Sequence, residues 1–442
     1  MNWIQLLSDK RFGMEDYNNR KHDRTDFQRD YDRLIFSSAF RRLQNKTQVF
    51  PLPGSIFVHN RLTHSLEVSC VGRSLGNNVA RALMEKYPGM DANFSEIGSI
   101  VSAACLAHDM GNPPFGHSGE RAISAFFTEG GEGKQWEAQV KEEGGRWEDF
   151  VYFEGNANAL RLLTHQFTGR REGGFALTYS TLASIIKYPY SSELAQKKKK
   201  FGFFQTEEET FNKIVEELGL CRDPEEEGKY VRYPLVYLVE AADDICYQIM
   251  DIEDACKLHI LSYEEAIELL LGFFEEDRRE RRQEVMRMVD DKNEQLAYLR
   301  SSIIGLLVDA CSQVFIEHEE DILSGHYKGP LIERINDPAK KAYAACSKVA
   351  CEKIYKAKEV VDVELAGHHI FSRLISIFTN ALINKDQPYS QLLLQRIPSQ
   401  YDTNVPTTYG KIQCVLDYIS GMTDVYALDL YRKITGMSLP AV

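Results

Sequence analysis

An all-α fold is predicted by three features of the 442-residue sequence. Apolar residues recur at three- and four-residue spacing over long segments, convincing alternating runs are few, and the periodic segments stop at strings bearing proline or glycine. The composition suits a packed globular chain: 43% hydrophobic and 26% charged residues exclude a wholly disordered or fibrous protein. The length exceeds what one ordinary core needs, which calls for one large domain with elaborations or two packed units.

In chain order, an acidic-basic helix begins near Arg24 and leads to Arg41-Arg42. Leu62, Leu66, Leu75, Val79 and Leu83 then mark a helix that stops at Tyr87-Pro88-Gly89. Ile97, Ile100, Val101 and Ala104 mark a second, which must end by Gly111 because Pro113-Pro114 cannot continue it. The clearest stripe, Leu235, Leu238, Val239, Ala242, Cys246, Ile249 and Cys256, starts beside Pro234, a good first-turn residue. From Ser301 onward the pattern is helical again. Two inserts are expected. Residues 130–145, within an insert near 130–150, are rich in glycine and charge, and residues 193–228 hold Lys197-Lys198-Lys199-Lys200 and the acidic Glu207-Glu208-Glu209. Like-charge runs resist burial, so each is expected as a solvated loop or mobile flap, with a lid over an active site as the sharper alternative. The expected division is a core unit over 1–300 and a helical C-terminal region over 301–442 packed on it.

The formal charge of −13 argues against bulk coating of nucleic acid but leaves room for a local basic pocket that takes a polyanion. Nine cysteines without paired spacing suggest a reduced, cytoplasmic protein. Residues 1–20 contain no apolar run of the kind that marks export. The best apolar stretch, Ser301 to Ile316, is interrupted by Asp309 and is too short to span a bilayer, so no membrane is expected.

The chemical signal lies in a scattered His and Asp set. His64 opens the first of these helices, His108-Asp109 close the second, and Asp243 lies on the third. Neighbouring residues in mid-helix point about 100° apart and would rarely share an ion, but here the helix must break, which frees His108 and Asp109 to converge. Imidazole nitrogens with carboxylate oxygens suit Mn, Mg, Fe or Zn and leave coordination positions for water and a phosphate oxygen. The plain alternative is a set of satisfied core or surface residues. His117 and Glu120 stand three apart on the helix that follows, so the carboxylate could orient the imidazole as a general acid; an N-terminal capping arrangement is the alternative. Asp243, Tyr247 and Asp251 fall at i, i+4 and i+8, either a groove wall or a solvent-facing edge. Arg41-Arg42, Arg61 and Lys187 are available for phosphates, or are plain surface charges. The glycine fingerprints of phosphate-binding loops are absent.

These residues sit in strings that resemble the HD-domain phosphohydrolases and, more closely, the deoxyguanosine triphosphate triphosphohydrolases. The strings are Arg24-Thr25-Xaa-Phe27-Xaa-Arg29-Asp30, Ala39 through Val49, Arg61 through Val68, Ala107-His108-Asp109 through Glu120, Phe153 through Ala157, Lys187-Tyr188-Pro189, Tyr237 through Ile245, and Asp417 through Asp424. The resemblance implies an HD-type helical core with a helical C-terminal elaboration. It implies hydrolysis of a deoxynucleoside triphosphate, dGTP foremost, to deoxynucleoside and tripolyphosphate. By likeness His64, His108, Asp109 and Asp243 hold a divalent metal, and His117 with Glu120 is the catalytic pair. Arg61 and Lys187 grip phosphates, Tyr247 and Asp251 meet the sugar, and Gln48 lies near sugar or base. The likeness also implies a homo-oligomer, often a hexamer, and in some members a nucleotide activator at a second site.

The sequence departs from relatives at three places. Gly155 stands where some carry a further active-site histidine, Asn112 replaces a histidine of the animal branch, and Val425 occupies a position that often holds arginine. Two rival functions use the same metal residues: an HD phosphatase or phosphodiesterase on other nucleotides, and a nucleotide-sensing binding module. The first would release orthophosphate rather than tripolyphosphate; the second would turn nothing over.

Overall fold

The computed structural model describes residues 1–16, 23–50, 58–129, 131–196 and 199–438. Gly130, Lys197 and Lys198 of the expected inserts lie outside these residues, as do residues 17–20 of the N-terminal stretch. The fold is all-α. Among the described residues the only β-type pairings are isolated bridges such as Thr47 with Asn60.

Eleven helices suffice to place the site: α1 (Asp26–Ile35), α2 (Arg61–Lys86), α3 (Ile97–Ala107), α4 (His117–Thr128), α5 (Gly155–Thr164), α6 (Tyr179–Ile185), α7 (Val236–Lys257), α8 (Lys292–Glu317), α9 (Lys358–Ile383), α10 (Thr408–Ser420) and α11 (Asp424–Thr435). Helix α2 starts where a capping box dictates. The Asn60 side chain accepts from the Thr63 amide at 3.0 Å, and the Thr63 hydroxyl accepts from the Asn60 amide at 3.2 Å. Helix α2 ends before Tyr87, as its apolar period predicts. Helix α3 stops at Ala107, four residues short of Gly111, so His108 and Asp109 fall on the turn that follows it. Helices α2 and α3 pack closely because a Cβ at Gly76 would lie 2.8 Å from the Gly98 Cα, a separation only glycine permits. Helices α7 and α8 lie against α2, and α9 lies against α4 and α10.

Apolar side chains form two clusters. One draws on segments from Trp3 to Ile354; the other joins Ala122–Phe204 segments to Ile370–Leu430. Helix α8 runs unbroken across position 300/301. It is long and apolar enough to cross a membrane, yet Leu296, Leu299, Ile303 and Leu307 bury one face against the core. The inserts differ from the solvated loops expected. Trp136, Val140 and Trp147 are buried in the first, and Phe201, Phe203, Phe204 and Phe211 in the second, which also forms a helix over Glu208–Leu218. The physical reason is apolar burial: the aromatics between the charge runs gain more from leaving water than the runs lose by being held at the surface.

Candidate active site

Two helix ends and the middle of a third helix bring three of the four predicted ligands together. His64 sits in the first turn of α2, His108 just past α3, and Asp243 on α7; one ligand atom from each lies within 4.8 Å of the others. His64 Nε2 is 3.0 Å and His108 Nε2 3.6 Å from Asp243 Oδ1. His108 donates from Nδ1 to the Cys105 carbonyl at 2.6 Å, which turns Nε2 inward, where it is buried and has no hydrogen-bond partner. A buried, orphaned imidazole nitrogen beside a second imidazole and a carboxylate is what a divalent cation would satisfy, so the donor set fits one. The charges agree. Burial alone would push the His108 imidazole down, but Asp109 and Asp243 outweigh it and raise it to about 9. Burial likewise pushes Asp243 up, and His108 and His64 hold it well below the usual carboxylate range.

Asp109 stands beside this trio rather than inside it. Its Oδ1 is 3.8 Å from His108 Nε2 and accepts from the Asn112 side chain; its Oδ2 pairs with Arg61 Nη1 at 2.6 Å. Arg61, expected to face phosphate, is buried with its head spent on Asp109. As the first residue of α2 its side chain runs back along the helix start to the turn after α3, leaving Nε without a partner.

His117 and Glu120 meet as the spacing predicts, at 3.1 Å between Nδ1 and Oε2. His117 opens α4 with its side chain 64% exposed, whereas Glu120 is buried. The second oxygen of Glu120 accepts from the Gly155 amide at 2.8 Å. Burial pushes this carboxyl up, but His117 and Lys200 outweigh it and hold it below its usual value, so it is anionic at neutral pH. Gly155 has no room for a side chain: a Cβ there would lie 2.0 Å from Asn112 Oδ1 and 2.6 Å from Glu120 Oε1. The position that carries a histidine in some relatives instead supplies an amide that holds Glu120. Val425 is 62% exposed.

One cavity of about 340 Å³ collects most of the set: Gln48, Arg61, His108, Asp109, His117, Glu120, Lys187, Asp243 and Tyr247 all line it. The Gln48 carbonyl oxygen is buried and unpartnered. Lys187 pairs with Glu240 at 3.0 Å; burial opposes its charge, but Glu240 outweighs that and keeps it protonated. Asp251 does not reach the cavity. Its carboxylate accepts from the Tyr355 hydroxyl at 2.7 Å, burial raises it to about 8, and the Tyr355 ring stacks on Tyr247 at 6.1 Å, closing it off. The sugar contact expected of Asp251 is therefore not open in this structure.

Lining residues that the sequence reading left without a role include Lys200, Tyr188 and Asn156. Lys200 ends the lysine run, pairs with Glu154 at 2.5 Å and lies 3.8 Å from Glu120. The signal for Lys200 was present: the Phe201-Gly202-Phe203-Phe204 string that follows anchors that end of the run in the core.

The HD domain family matches residues 61–290, and a phosphohydrolase-associated domain matches residues 334–433. A deoxyguanosinetriphosphate triphosphohydrolase-like protein of Pseudomonas aeruginosa (strain LESB58) is 39% identical, with 100% of both chains covered. One of Synechocystis sp. (strain ATCC 27184 / PCC 6803 / Kazusa) is 37% identical over 99% of this chain and 100% of its own. A deoxyguanosinetriphosphate triphosphohydrolase of Yersinia enterocolitica is 32% identical, covering 92% of this chain and 93% of its own. HD domains bind divalent metals, and the His64–His108–Asp243 cluster is the corresponding candidate site. On full-length likeness and a matching helical core, the chain belongs to the HD-domain deoxynucleoside triphosphate triphosphohydrolases and is a hydrolase.

Proposed function

We propose that this hydrolase converts deoxynucleoside triphosphates, dGTP foremost, to deoxynucleoside and tripolyphosphate by cleavage at the α-phosphorus. The observation that carries this is one cavity lined by His108 and Asp243 of the His/Asp trio, by Asp109, by an oriented histidine and by two lysines, with His64 3.0 Å from Asp243 behind them. His64, His108 and Asp243 would hold the metal, with Asp109 joining them as Arg61 turns to phosphate. When bound, the metal supplies Lewis-acid neutralisation of phosphate charge and acidifies water. Mn, Mg, Fe and Zn all suit these donors.

His117 would do the proton work. Anionic Glu120 accepts from Nδ1–H, which leaves Nε2 to face the cavity. As general acid, the ring gives an Nε2 proton to the departing 5′-oxygen as the P–O5′ bond breaks; the hydroxyl of the attacking water ends on phosphorus, its other proton passes to solvent, and solvent recharges the ring. Lys187 and Lys200 would exchange Glu240 and Glu154 for triphosphate oxygens, and Arg61 would exchange Asp109, offsetting about four negative charges. The Tyr247 ring would exclude a 2′-hydroxyl, and the free Gln48 oxygen would meet sugar or base. Asp251 would take the 3′-hydroxyl once the Tyr355 hydroxyl yields it.

The resemblance also carries a homo-oligomer, with six subunits, a nucleotide activator at a second site and a cytoplasmic setting. Exposed Leu365, Tyr389 and Leu392 supply apolar surface for assembly. The test is to incubate the full chain with each deoxynucleotide triphosphate singly and in pairs, with Mn or Mg, and to resolve the products. Tripolyphosphate with deoxynucleoside, fastest from dGTP, is expected. Orthophosphate would refute α-cleavage, and equal rates on all bases would refute the preference.

A further inference from the structure

We infer that Arg42, Lys46, Arg170 and Ser420 form a second anion site, built for one phosphoryl group and separate from the catalytic cavity. The two cavities share no lining residue and lie on either side of the turn after α3, with Met110 facing one and Asn112 the other. The inference stands independently of the triphosphohydrolase reading.

Charge balance points to an anion. Three cationic side chains, Arg42, Lys46 and Arg170, line the cavity, against one carboxylate, Asp417. Asp417 is already taken: Arg161 clamps it through Nε and Nη2, both at 2.7 Å. Among the described residues neither Arg42 nor Arg170 has an ion-pair partner. Arg170 lies against the rings of Phe167 and Phe175, and its Nη1 is buried with no acceptor. Lys46 is fully buried and donates to the carbonyls of Asn112 at 2.5 Å and Ser420 at 2.8 Å. Burial, and then the Arg42 charge, push its ammonium down to about 7. Ser420 is 3% exposed, and its hydroxyl has no hydrogen-bond partner. Buried donors without acceptors beside uncompensated cations are costly unless something supplies oxygen and negative charge.

Size sets the class of ligand. The cavity leaves about 20 Å³ for the centres of water-sized atoms, more than the ~10–15 Å³ that one water needs. That leaves room for one or two oxygens of a phosphoryl group to enter and none for a nucleobase. The group belongs either to a free phosphate or to the end of a polyphosphate or nucleotide tail that enters from solvent. Occupancy has a route to the HD turn. Lys46 holds the Asn112 carbonyl, the Asn112 side chain donates to Asp109, and the Lys46 carbonyl accepts from the Arg61 amide at 3.2 Å.

The test measures binding of inorganic phosphate to the full-length chain by equilibrium dialysis, in a Lys187→Gln background that weakens the catalytic cavity. About one phosphate per chain is expected. Adding Arg42→Gln or Arg170→Gln should weaken it roughly 10- to 100-fold, the loss of one charge-assisted contact. Ser420→Ala, too small a change to disturb folding, should weaken it several-fold. Circular dichroism confirms that each variant is folded. Competition by tripolyphosphate but not by dGTP would assign the site to free polyphosphate; competition by both would assign it to any phosphate tail. Absence of phosphate binding in the Lys187→Gln chain, or binding unchanged in folded Arg42→Gln and Ser420→Ala chains, overturns the inference.

Discussion

His117 and Glu120 show how far single residues can be read from spacing. A separation of three placed them in contact, and the buried Gly155 amide then fixed Glu120, which no spacing announces. If His117 is the proton donor, His117→Ala should cut turnover on the order of 10² to 10⁴-fold. Its metal content, measured by plasma emission after dialysis, should stay unchanged, because His117 is not among the clustered ligand atoms. Near-full activity with metal bound would remove the acid role. Arg61 and Asp251 mark the limit of residue-level reading. Their partners are set by tertiary approach: Asp109 reaches Arg61 from the turn after α3, and Tyr355 reaches Asp251 from 104 residues away.

At the scale of elements, caps and breaks carried most of the legible structure. The Tyr87-Pro88-Gly89 stop and the prolines after Gly111 each act within a few residues, so local sequence suffices; the Asn60–Thr63 box is as local but went unread. The inserts were misread because charge runs are more conspicuous than the aromatics between them. What ties the second insert down is an ionic hub. Arg161 on α5 donates to Glu207 at 2.6 Å and to Asp417 on α10 at 2.7 Å, with all three side chains buried. Removing a buried cation leaves carboxylates without compensation, so Arg161→Met should cost about 3–5 kcal/mol. Urea unfolding of the full chain measures this. A loss below about 1 kcal/mol would mean that Glu207 and Asp417 find water or protons instead.

The whole molecule adds a pH dependence that follows from how its parts close on one another. His165, at the end of α5, is packed between Arg161 and the second insert, its Nδ1 3.4 Å from Arg161 Nη1. Burial first, and the Arg161 charge second, lower its imidazole to about 4. The sign follows from proton counting. Between the unfolded value near 6.5 and the folded value near 4, the unfolded chain binds a proton that the folded chain refuses, so stability falls as pH falls through that window. Asp149 acts oppositely. It is a buried acceptor for Ser192, Tyr409 and the Gln205 amide, and burial raises it to about 6, so below that pH the folded chain holds a proton the unfolded chain releases. The two partly cancel in the native protein and separate in a variant. With His165→Gln, the change in unfolding free energy between about pH 7.5 and about pH 5 should be more favourable to the acid side by about 1 kcal/mol. That figure is reduced from the full shift because the His165 side chain is 36% exposed and solvent screens it. Urea unfolding of both chains at the two pH values reads the difference directly, and an identical pH change in both would place the acid sensitivity elsewhere in the molecule.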